Sequence, residues 1–230
     1  MADTGIFKSG GRSANDDNVV VIGLGRFGGQ VAASLLELGH EVLGIDEDAR
    51  IVQSWSDRLT HVAQADTTDN EALRQLGVPD FPRAVVGIGT DIEASVLTVL
   101  ALTEIGVPDI TAKATSAKHG KILRSVGANH VVYPEAAMGE RVAHLITGKM
   151  LDFIEFEDDF AIAKVRAPRE ATGRTLADVQ LRSRYGVTVV GVKRPGSDFE
   201  YARPETVVPA GSMLIVAGET GKVERFAAST

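Results

Sequence analysis

Three glycines at positions 23, 25 and 28 form the pattern in this sequence that is best suited to binding a ligand. They lie in the run GLGRFG at residues 23–28, between an apolar segment that predicts a strand and an amphipathic segment that predicts a helix. In such a loop Gly23 allows a tight turn, Gly25 lets the backbone approach a pyrophosphate, and Gly28 lets the helix pack closely on the strand. The helix N-terminus then faces the anion. The spacing therefore predicts a phosphate-binding loop.

An acidic residue, Asp46, follows the second predicted strand, about 20 residues after the glycines, where a carboxylate can accept hydrogen bonds from a ribose. An acid here disfavours a 2′-phosphate and so favours NAD or an adenine nucleotide over NADP. The alternative is that the glycines only connect a strand to a helix, and that Asp46 is a solvated strand end or a helix cap. We predict an adenine nucleotide or dinucleotide site with Asp46 on the ribose.

Two further residues near this site each have two interpretations. Asp66 follows the third predicted strand, where it contacts the adenine or its ribose, or else caps or turns the chain before the next helix. Arg26 lies inside the loop, where its guanidinium reaches a terminal phosphate and favours mononucleotides, or else stays in solvent. We also assign Phe27, Glu47 and Thr67 to the binding site.

The elements that must position these residues alternate between strand and helix. Strands such as Val19–Ile22 are continuously apolar, as expected when helices cover both faces of a parallel sheet. We expect an α/β fold with a Rossmann-like, doubly wound parallel sheet. The predicted strands are Asn18–Gly23, Glu41–Ile45, His61–Ala65, Ala84–Gly87, Ile110–Ala114 and His130–Val132, and the predicted helices are Gly28–Leu38, residues 49–58, Asn70–Leu76, Ile92–Ile105 and Ala117–Val126.

The pattern changes after a predicted helix at Glu140–Leu151, because the next strands are joined by an acidic turn and not by a helix. We expect a smaller α+β domain with mostly antiparallel pairing. Its predicted elements are strands at Phe153–Phe156, Phe160–Arg166, Val187–Lys193 and Ser212–Ala217 and helices at Leu176–Leu181 and Thr220–Phe226. The predicted organisation is a disordered tail (1–17), a nucleotide-binding domain (18–138), a linking helix (139–151) and a second domain (152–230).

Composition excludes several classes of protein. The 230 residues include no cysteine, which rules out disulfides, thiolate nucleophiles and Cys-based metal sites. The net charge of −7 would repel the phosphates of nucleic acid, so we expect no nucleic-acid partner. No apolar run approaches the roughly 20 residues that cross a bilayer, and the first residues lack the apolar core of a secretory signal. We therefore expect a cytoplasmic protein.

Catalytic residues are scarce. A hydride-transfer enzyme needs an acid or base near the nicotinamide, yet no histidine follows residue 150, and four of the five histidines lie in the predicted βα units. No His-x-x-x-His or clustered-carboxylate pattern indicates a metal site. The sequence favours a non-catalytic nucleotide-binding protein, with an NAD-dependent oxidoreductase as the alternative.

The chain resembles the RCK (regulator of potassium conductance) family, as found in the KtrA and TrkA regulators of potassium uptake. The resemblance is carried by GRFG at 25–28, PEAAMG at 134–139 and RSRYGVTVVGVKR at 182–194, and it extends over nearly everything after the tail. It implies a non-enzymatic subunit with RCK N and RCK C domains that binds ATP, ADP or NAD(H). It also implies a dimer, an octameric ring, and a KtrB- or TrkH-like membrane partner that is gated from the cytoplasmic face.

The resemblance also implies roles for single residues. It places Asp66 on the adenine side and Arg26 at the terminal phosphate, with Lys113 and Glu135 near the edge of the nucleotide. Glu135 matches a glutamate that helps to hold a cation, such as Mg²⁺, Ca²⁺ or Na⁺, beside the γ-phosphate.

For the second domain, the resemblance suggests cyclic di-AMP, which some members bind at a dimer interface formed by apolar strands. Val189, Val192 and Arg194 are candidates to line such a cleft, or are ordinary core and turn residues. A regulator that responds to the NADH/NAD ratio is a further alternative.

Overall fold

The computed structural model describes residues 18–146, 150–156 and 158–230. The predicted tail at 1–17 and residues 147–149 of the predicted linking helix lie outside the described residues. The chain divides into two compact units, and the boundary in the sequence falls between Glu135 and Ala136. Each unit is described below by itself.

The first unit contains a six-stranded sheet in which every neighbouring pair is parallel. The strand order is β3-β2-β1-β4-β5-β6, which confirms the predicted Rossmann-like fold. The order reverses between β1 and β4, and such a reversal opens a ligand crevice at the carboxyl ends of the strands. The strands are β1 (Val19–Ile22), β2 (Val42–Asp46), β3 (His61–Gln64), β4 (Arg83–Val86), β5 (Asp109–Lys113) and β6 (His130–Val132).

Five helices connect these strands, within a few residues of the predicted bounds. Side-chain caps fix where four of them begin, because Asp48, Asp69, Asp91 and Ser116 accept hydrogen bonds from backbone N–H groups of α2 to α5. The first helix has no such cap and begins directly after Gly25. The helices are α1 (Arg26–Glu37), α2 (Ala49–Trp55), α3 (Asn70–Gln75), α4 (Ile92–Glu104) and α5 (Ala117–Ser125).

The central strand β1 is buried along its whole length, and its side chains alternate between two cores. Val20 and Ile22 belong to the larger core, with residues of β4, β5 and α4. Val19 and Val21 belong to the other, with residues of α1 and α2. Because both faces of β1 are covered, the strand is a continuous apolar run in the sequence.

The second unit is built on a five-stranded sheet in which every neighbouring pair is antiparallel, with the order β10-β9-β11-β8-β7. Helix α6 begins at Pro134, earlier than the predicted Glu140, with proline in its first position, where a missing N–H costs no hydrogen bond. The first two residues of α6 belong to the first unit. The elements are α6 (Pro134–Ile146), β7 (Asp152–Phe156), β8 (Phe160–Arg166), α7 (Leu176–Val179), α8 (Leu181–Tyr185), β9 (Thr188–Lys193), β10 (Phe199–Tyr201), β11 (Met213–Glu219) and α9 (Thr220–Ala228).

Two further elements of this unit differ from the sequence predictions. The single helix expected at Leu176–Leu181 is two short helices, because Gln180 takes a left-handed conformation (φ 53°) that interrupts the turn. The strand β10 was missed because it has only three residues, and all three are exposed.

The core of the second unit lies between the sheet and helix α9. Phe226 of α9 is fully buried, and its ring packs against that of Tyr185 at a centroid distance of 5.0 Å. Val192 is buried in this core, and Val189 packs against it. These two valines are core residues, which agrees with the interpretation of them as ordinary core residues.

Among the described residues, no helix has the length and the apolar character needed to span a bilayer.

Truncation of Phe226 tests the packing of the second unit. We expect Phe226→Ala to lower the free energy of unfolding by about 3 to 5 kcal/mol, because it leaves a cavity between the sheet and α9. Tyr201→Ala is the matched control, since Tyr201 is an aromatic residue that is 87% exposed. Urea denaturation followed by circular dichroism measures both changes, and equal effects of the two substitutions would contradict the packing described here.

Candidate functional site

The crevice at the strand reversal is formed by glycine backbones in close contact. A Cβ on Gly28 would lie 1.9 Å from the carbonyl oxygen of Gly23, and a Cβ on Gly87 would lie 2.9 Å from the same oxygen. Gly23 itself has φ +82°, which side chains rarely adopt. Only glycine allows the end of β1, the first turn of α1 and the end of β4 to approach this closely.

Gly25 is different, because a Cβ there would meet nothing within 4 Å. It is exposed and is the N-cap residue of α1, and no side chain caps this helix end. The first N–H groups of a helix have no partner within the helix and attract anions. The space beside Gly25 therefore suits a phosphate group of a nucleotide.

Asp46 holds the glycine loop in place. Its side chain accepts a hydrogen bond from the N–H of Leu24 at 2.7 Å and another from the N–H of Asp48 at 2.9 Å, and the residue is only 8% exposed. It is neither solvated nor a cap of α2, which is the role of Asp48. Each carboxylate oxygen has a second lone pair, so the group can still accept a hydrogen bond from a ribose.

Two of the predicted binding residues, Asp66 and Thr67, lie in the loop after β3, one exposed and the other buried. Asp66 is exposed and accepts hydrogen bonds from the N–H and the hydroxyl of Thr68, which form an Asx-type turn and lower the pKa of its carboxyl group. Thr67 is buried, and its hydroxyl bonds to that of Thr98 on α4 at 2.9 Å. The Thr67 hydroxyl therefore points into the protein, so a contact of Thr67 with a nucleotide would have to come from its backbone. Glu47 is exposed at the end of β2.

Lys113, the last residue of β5, forms an ion pair with Glu135, which follows the neighbouring strand β6. The distance from Lys113 Nζ to Glu135 Oε1 is 2.5 Å, and the lysine ammonium lies 5.6 Å from the centre of the Phe27 ring. The hydrogen bond from Lys113 is the main cause that lowers the pKa of Glu135, and the charge of Arg26 contributes. Arg26 is exposed on the first turn of α1. Two cations and one carboxylate thus lie at the phosphate loop.

Comparison with known proteins matches two consecutive parts of this chain to two domain families. The TrkA-N domain model matches residues 19–134, and the TrkA-C domain model matches residues 160–229. The Ktr system potassium uptake protein C of Bacillus subtilis is 37% identical over 90% of this chain and 94% of its own length. The Ktr system potassium uptake protein A of the same organism is 33% identical over 90% and 93%.

The chain belongs to the RCK family of regulatory subunits of Ktr potassium uptake systems. A solved RCK domain, that of GsuK, has the same fold, with a TM-score of 0.53 and 23% identity over 95% of this chain and 47% of that chain. Further structures show the GsuK channel bound to NAD and GsuK bound to ADP.

As an RCK protein of this kind, the chain is a regulator and not an enzyme. His119 on α5 is buried, and its Nδ1 accepts a hydrogen bond from the N–H of Thr115, with 3.3 Å between the two nitrogens. Burial lowers the pKa of this imidazole. In the described part of the chain, no group of three or more His, Asp and Glu side chains is arranged to hold a metal ion. Glu135 as a cation ligand stays a prediction that needs oxygen atoms from elsewhere, such as phosphates.

Gly87 and Gly89 were missed by the sequence reasoning. Gly87 packs on Gly23 and Gly28, and a Cβ on Gly89 would lie 3.1 Å from the ammonium of Lys113. The signal was present as a second Gly-x-Gly at the end of the predicted strand Ala84–Gly87, since ligands bind at the carboxyl ends of the strands in such a sheet.

The glycine contact can be tested with two helical glycines. We expect Gly28→Ala to lower the free energy of unfolding by about 3 kcal/mol or more, because the new Cβ collides with the backbone oxygen of Gly23. Gly139→Ala on α6 meets nothing within 4 Å and should stabilise the protein by up to about 1 kcal/mol. Thermal denaturation measures both, and a Gly28→Ala protein as stable as the wild type would refute the close contact.

The cap of α2 gives a prediction about pH. Hydrogen bonds from the side chain and the N–H of Arg50 lower the pKa of Asp48 from 3.8 to about 2. Because the folded-state pKa is depressed, the stabilisation is present above pH 3.8 and is lost as the pH falls toward 2. In an NMR titration of the folded protein from pH 5 to pH 3, we expect the Asp48 carboxyl signal to move little in the wild type and clearly in Arg50→Gln. Arg58→Gln should behave like the wild type.

Proposed function

We propose that this protein is a nucleotide-sensing subunit of a Ktr-type potassium uptake system, with ATP and ADP favouring different conformations of its assembly. The observation that carries the proposal is the open space beside Gly25 at an uncapped helix N-terminus, together with two cations near this loop, Arg26 in the first turn of α1 and Lys113 beside the Phe27 ring. A phosphate group is the ligand that this combination attracts.

The comparisons support a nucleotide ligand. GsuK, which shares the fold, has been solved with NAD and with ADP, and both contain an adenosine diphosphate moiety. The Asp46 carboxylate suits the ribose hydroxyls of either ligand, while the loop with Arg26 suits a terminal phosphate. We therefore favour ATP and ADP, with NAD(H) as the second candidate, which would make the protein a redox regulator.

A nucleotide controls such a protein only if it binds two conformations with different affinities. ATP differs from ADP by one phosphate, so the difference must arise from contacts that the third phosphate gains. Arg26 is exposed on the first turn of α1, and we assign its guanidinium group to the third phosphate. Mg²⁺, Ca²⁺ or Na⁺ would offset the repulsion between Glu135 and the nucleotide.

The assembly and the partner are part of the proposal. The relatives are Ktr system potassium uptake proteins, which supports a membrane potassium-translocating partner of the KtrB or TrkH kind. We propose a dimer that forms an octameric ring and docks at the cytoplasmic face of the membrane through this partner.

For the second unit, the candidate ligand is cyclic di-AMP. The ammonium groups of Lys164 and Lys193 lie 5.7 Å and 5.6 Å from the centre of the Phe199 ring, which favours a ligand with phosphates and an aromatic base. Arg194 is exposed and lies 3.5 Å from Glu200. Calorimetry of the full chain and of Lys193→Gln with cyclic di-AMP tests this candidate.

The test of the nucleotide site uses Gly25→Ala. The added methyl group meets no protein atom within 4 Å, and alanine is a poorer N-cap residue than glycine, so we expect only a small loss of thermal stability. Because it would occupy the space for a phosphate, we expect ATP and ADP to bind about tenfold more weakly or worse, by isothermal titration calorimetry. Gly139→Ala is the control and should bind like the wild type.

The panel should include ATP, ADP, NAD and NADH with the wild-type protein. Tighter binding of NADH or NAD than of ATP and ADP would favour the redox regulator. If the wild type binds none of the four, or if Gly25→Ala binds them as well as the wild type, the proposed site is wrong.

A further inference from the structure

We propose that Thr98 on α4 is a positioning residue for the base of the nucleotide. Its buried hydroxyl holds Thr67 in place, and the loop after β3 can then distinguish adenine from a purine with an oxo group at C6. The inference rests on the proposed function and deepens it, because it concerns which base the site accepts and not how many phosphates.

The loop after β3, residues 65–69, lies where the base of a bound nucleotide is expected. The proposed phosphate position is beside Gly25, after β1, and the proposed ribose contact is Asp46, at the end of the neighbouring strand β2. The next strand in the sheet is β3. The N–H of Ala65 donates to the carbonyl oxygen of Asp46 at 3.2 Å, so the loop lies directly beside the ribose residue. A nucleotide that extends along this edge from β1 over β2 would bring its base to the loop.

Two adjacent residues of the loop present an acceptor and a donor. Oδ1 of Asp66 accepts both hydrogen bonds from Thr68, and Oδ2 has no partner in the described part of the chain. These bonds lower the pKa of the carboxyl group, so it is ionised and can only accept. Thr67 is only 7% exposed, and its backbone N–H donates to no group of the described residues. A ligand can supply the partner that such a donor needs.

This donor and acceptor match one edge of adenine. Adenine has an amino group at C6, which donates, beside the ring nitrogen N1, which accepts. Hypoxanthine and guanine have the opposite pattern, with an oxo group at C6 and a hydrogen on N1. Such a base would set its oxo group against the Asp66 carboxylate and its N1–H against the Thr67 N–H. A site built for hydrogen bonds strongly rejects a ligand that leaves its polar groups unpaired.

The Thr98 hydroxyl fixes the position of Thr67. The two Oγ1 atoms are 2.9 Å apart, and Thr98 is fully buried in the middle of α4. The bond attaches the middle of the loop to a helix residue that is 31 positions away in the sequence. Loss of this bond leaves the buried Thr67 hydroxyl unpaired, which favours a loop conformation in which the hydroxyl reaches water. The backbone N–H of the same residue then moves away from the base.

A second buried hydroxyl on α4 provides a comparison. Ser95 lies three residues before Thr98 and is also fully buried, but its Oγ has no hydrogen-bond partner among the residues that the structure describes. Ser95→Ala therefore removes a buried hydroxyl from the same helix without breaking a bond to the loop. We expect this substitution to leave the base selectivity unchanged.

Isothermal titration calorimetry with ATP, ADP and ITP tests the inference. ITP has the ribose and the phosphates of ATP but carries the oxo group and the hydrogen on N1. We expect the wild type to bind ATP at least about tenfold more tightly than ITP, and Thr98→Val to bring this ratio below about threefold. The ratio of ATP to ADP affinity should change by less than about threefold. A purely structural role of Thr98 would weaken the binding of all three nucleotides alike.

Three variants separate positioning from packing. Thr98→Ser keeps the hydroxyl and should keep the wild-type ratio of ATP to ITP affinity. The double variant Thr67→Val/Thr98→Val leaves neither hydroxyl unpaired, so thermal stability should recover relative to Thr98→Val while base selectivity stays lost. Thr103→Val is the matched control on α4, because the Thr103 hydroxyl donates to the backbone oxygens of Val99 and Val126. It should keep the wild-type ratio.

The outcomes separate this inference from the proposed function. If the wild type binds ATP and ITP equally, or if Thr98→Val keeps the preference for ATP, the inference is refuted and the proposed nucleotide site stands. If Thr98→Val does not fold, the double variant and Thr98→Ser decide. A double variant that still prefers ATP, or a Thr98→Ser protein that loses the preference, refutes the positioning role. If the wild type binds none of the nucleotides, both proposals fail.

Discussion

The contact between the backbones of Gly23 and Gly28 is the constraint on which the rest of the site depends. A Cβ on Gly28 would lie 1.9 Å from the carbonyl oxygen of Gly23, and Gly23 itself has φ +82°. Helix α1 can therefore start at this point only with glycine at positions 23 and 28. Gly87 extends the contact to β4 on the other side of the strand reversal. The same close approach brings the uncapped N-terminus of α1 to the edge of the sheet where the polar residues collect.

Asp46 fixes this arrangement from the other side, since its carboxylate bonds to the N–H groups of Leu24 and Asp48. This buried carboxylate therefore fixes the position of the loop in which we propose that the nucleotide binds. The charges are then arranged around the loop, with Arg26 exposed and Lys113 enclosed and neutralised by Glu135. In this arrangement the fold supplies the shape of the proposed nucleotide site, and the charged side chains lie around it.

Much of this was predictable from the sequence, because it follows from local chemistry. The apolar runs and the glycine spacing indicated the parallel sheet, the edge of the sheet at which a ligand is expected, and the position of Asp46 at the end of the second strand. Lys113 and Glu135 were found only through family resemblance, since 22 residues separate them and their pairing depends on the order of β5 and β6 in the sheet. The hydroxyl of Thr67 turns inward to Thr98, 31 residues away, which no pattern near residue 67 reveals. The left-handed Gln180 was missed for a related reason, because residues other than glycine seldom adopt this conformation.

The central claim is that the number of phosphates on the bound nucleotide selects the conformation of the assembly. Small-angle X-ray scattering of the full-length protein, at saturating ATP and then at saturating ADP under the same ionic conditions, tests it most directly. The account predicts two distinct scattering profiles from particles of equal mass. Superimposable profiles, with both nucleotides shown to be bound, would contradict it.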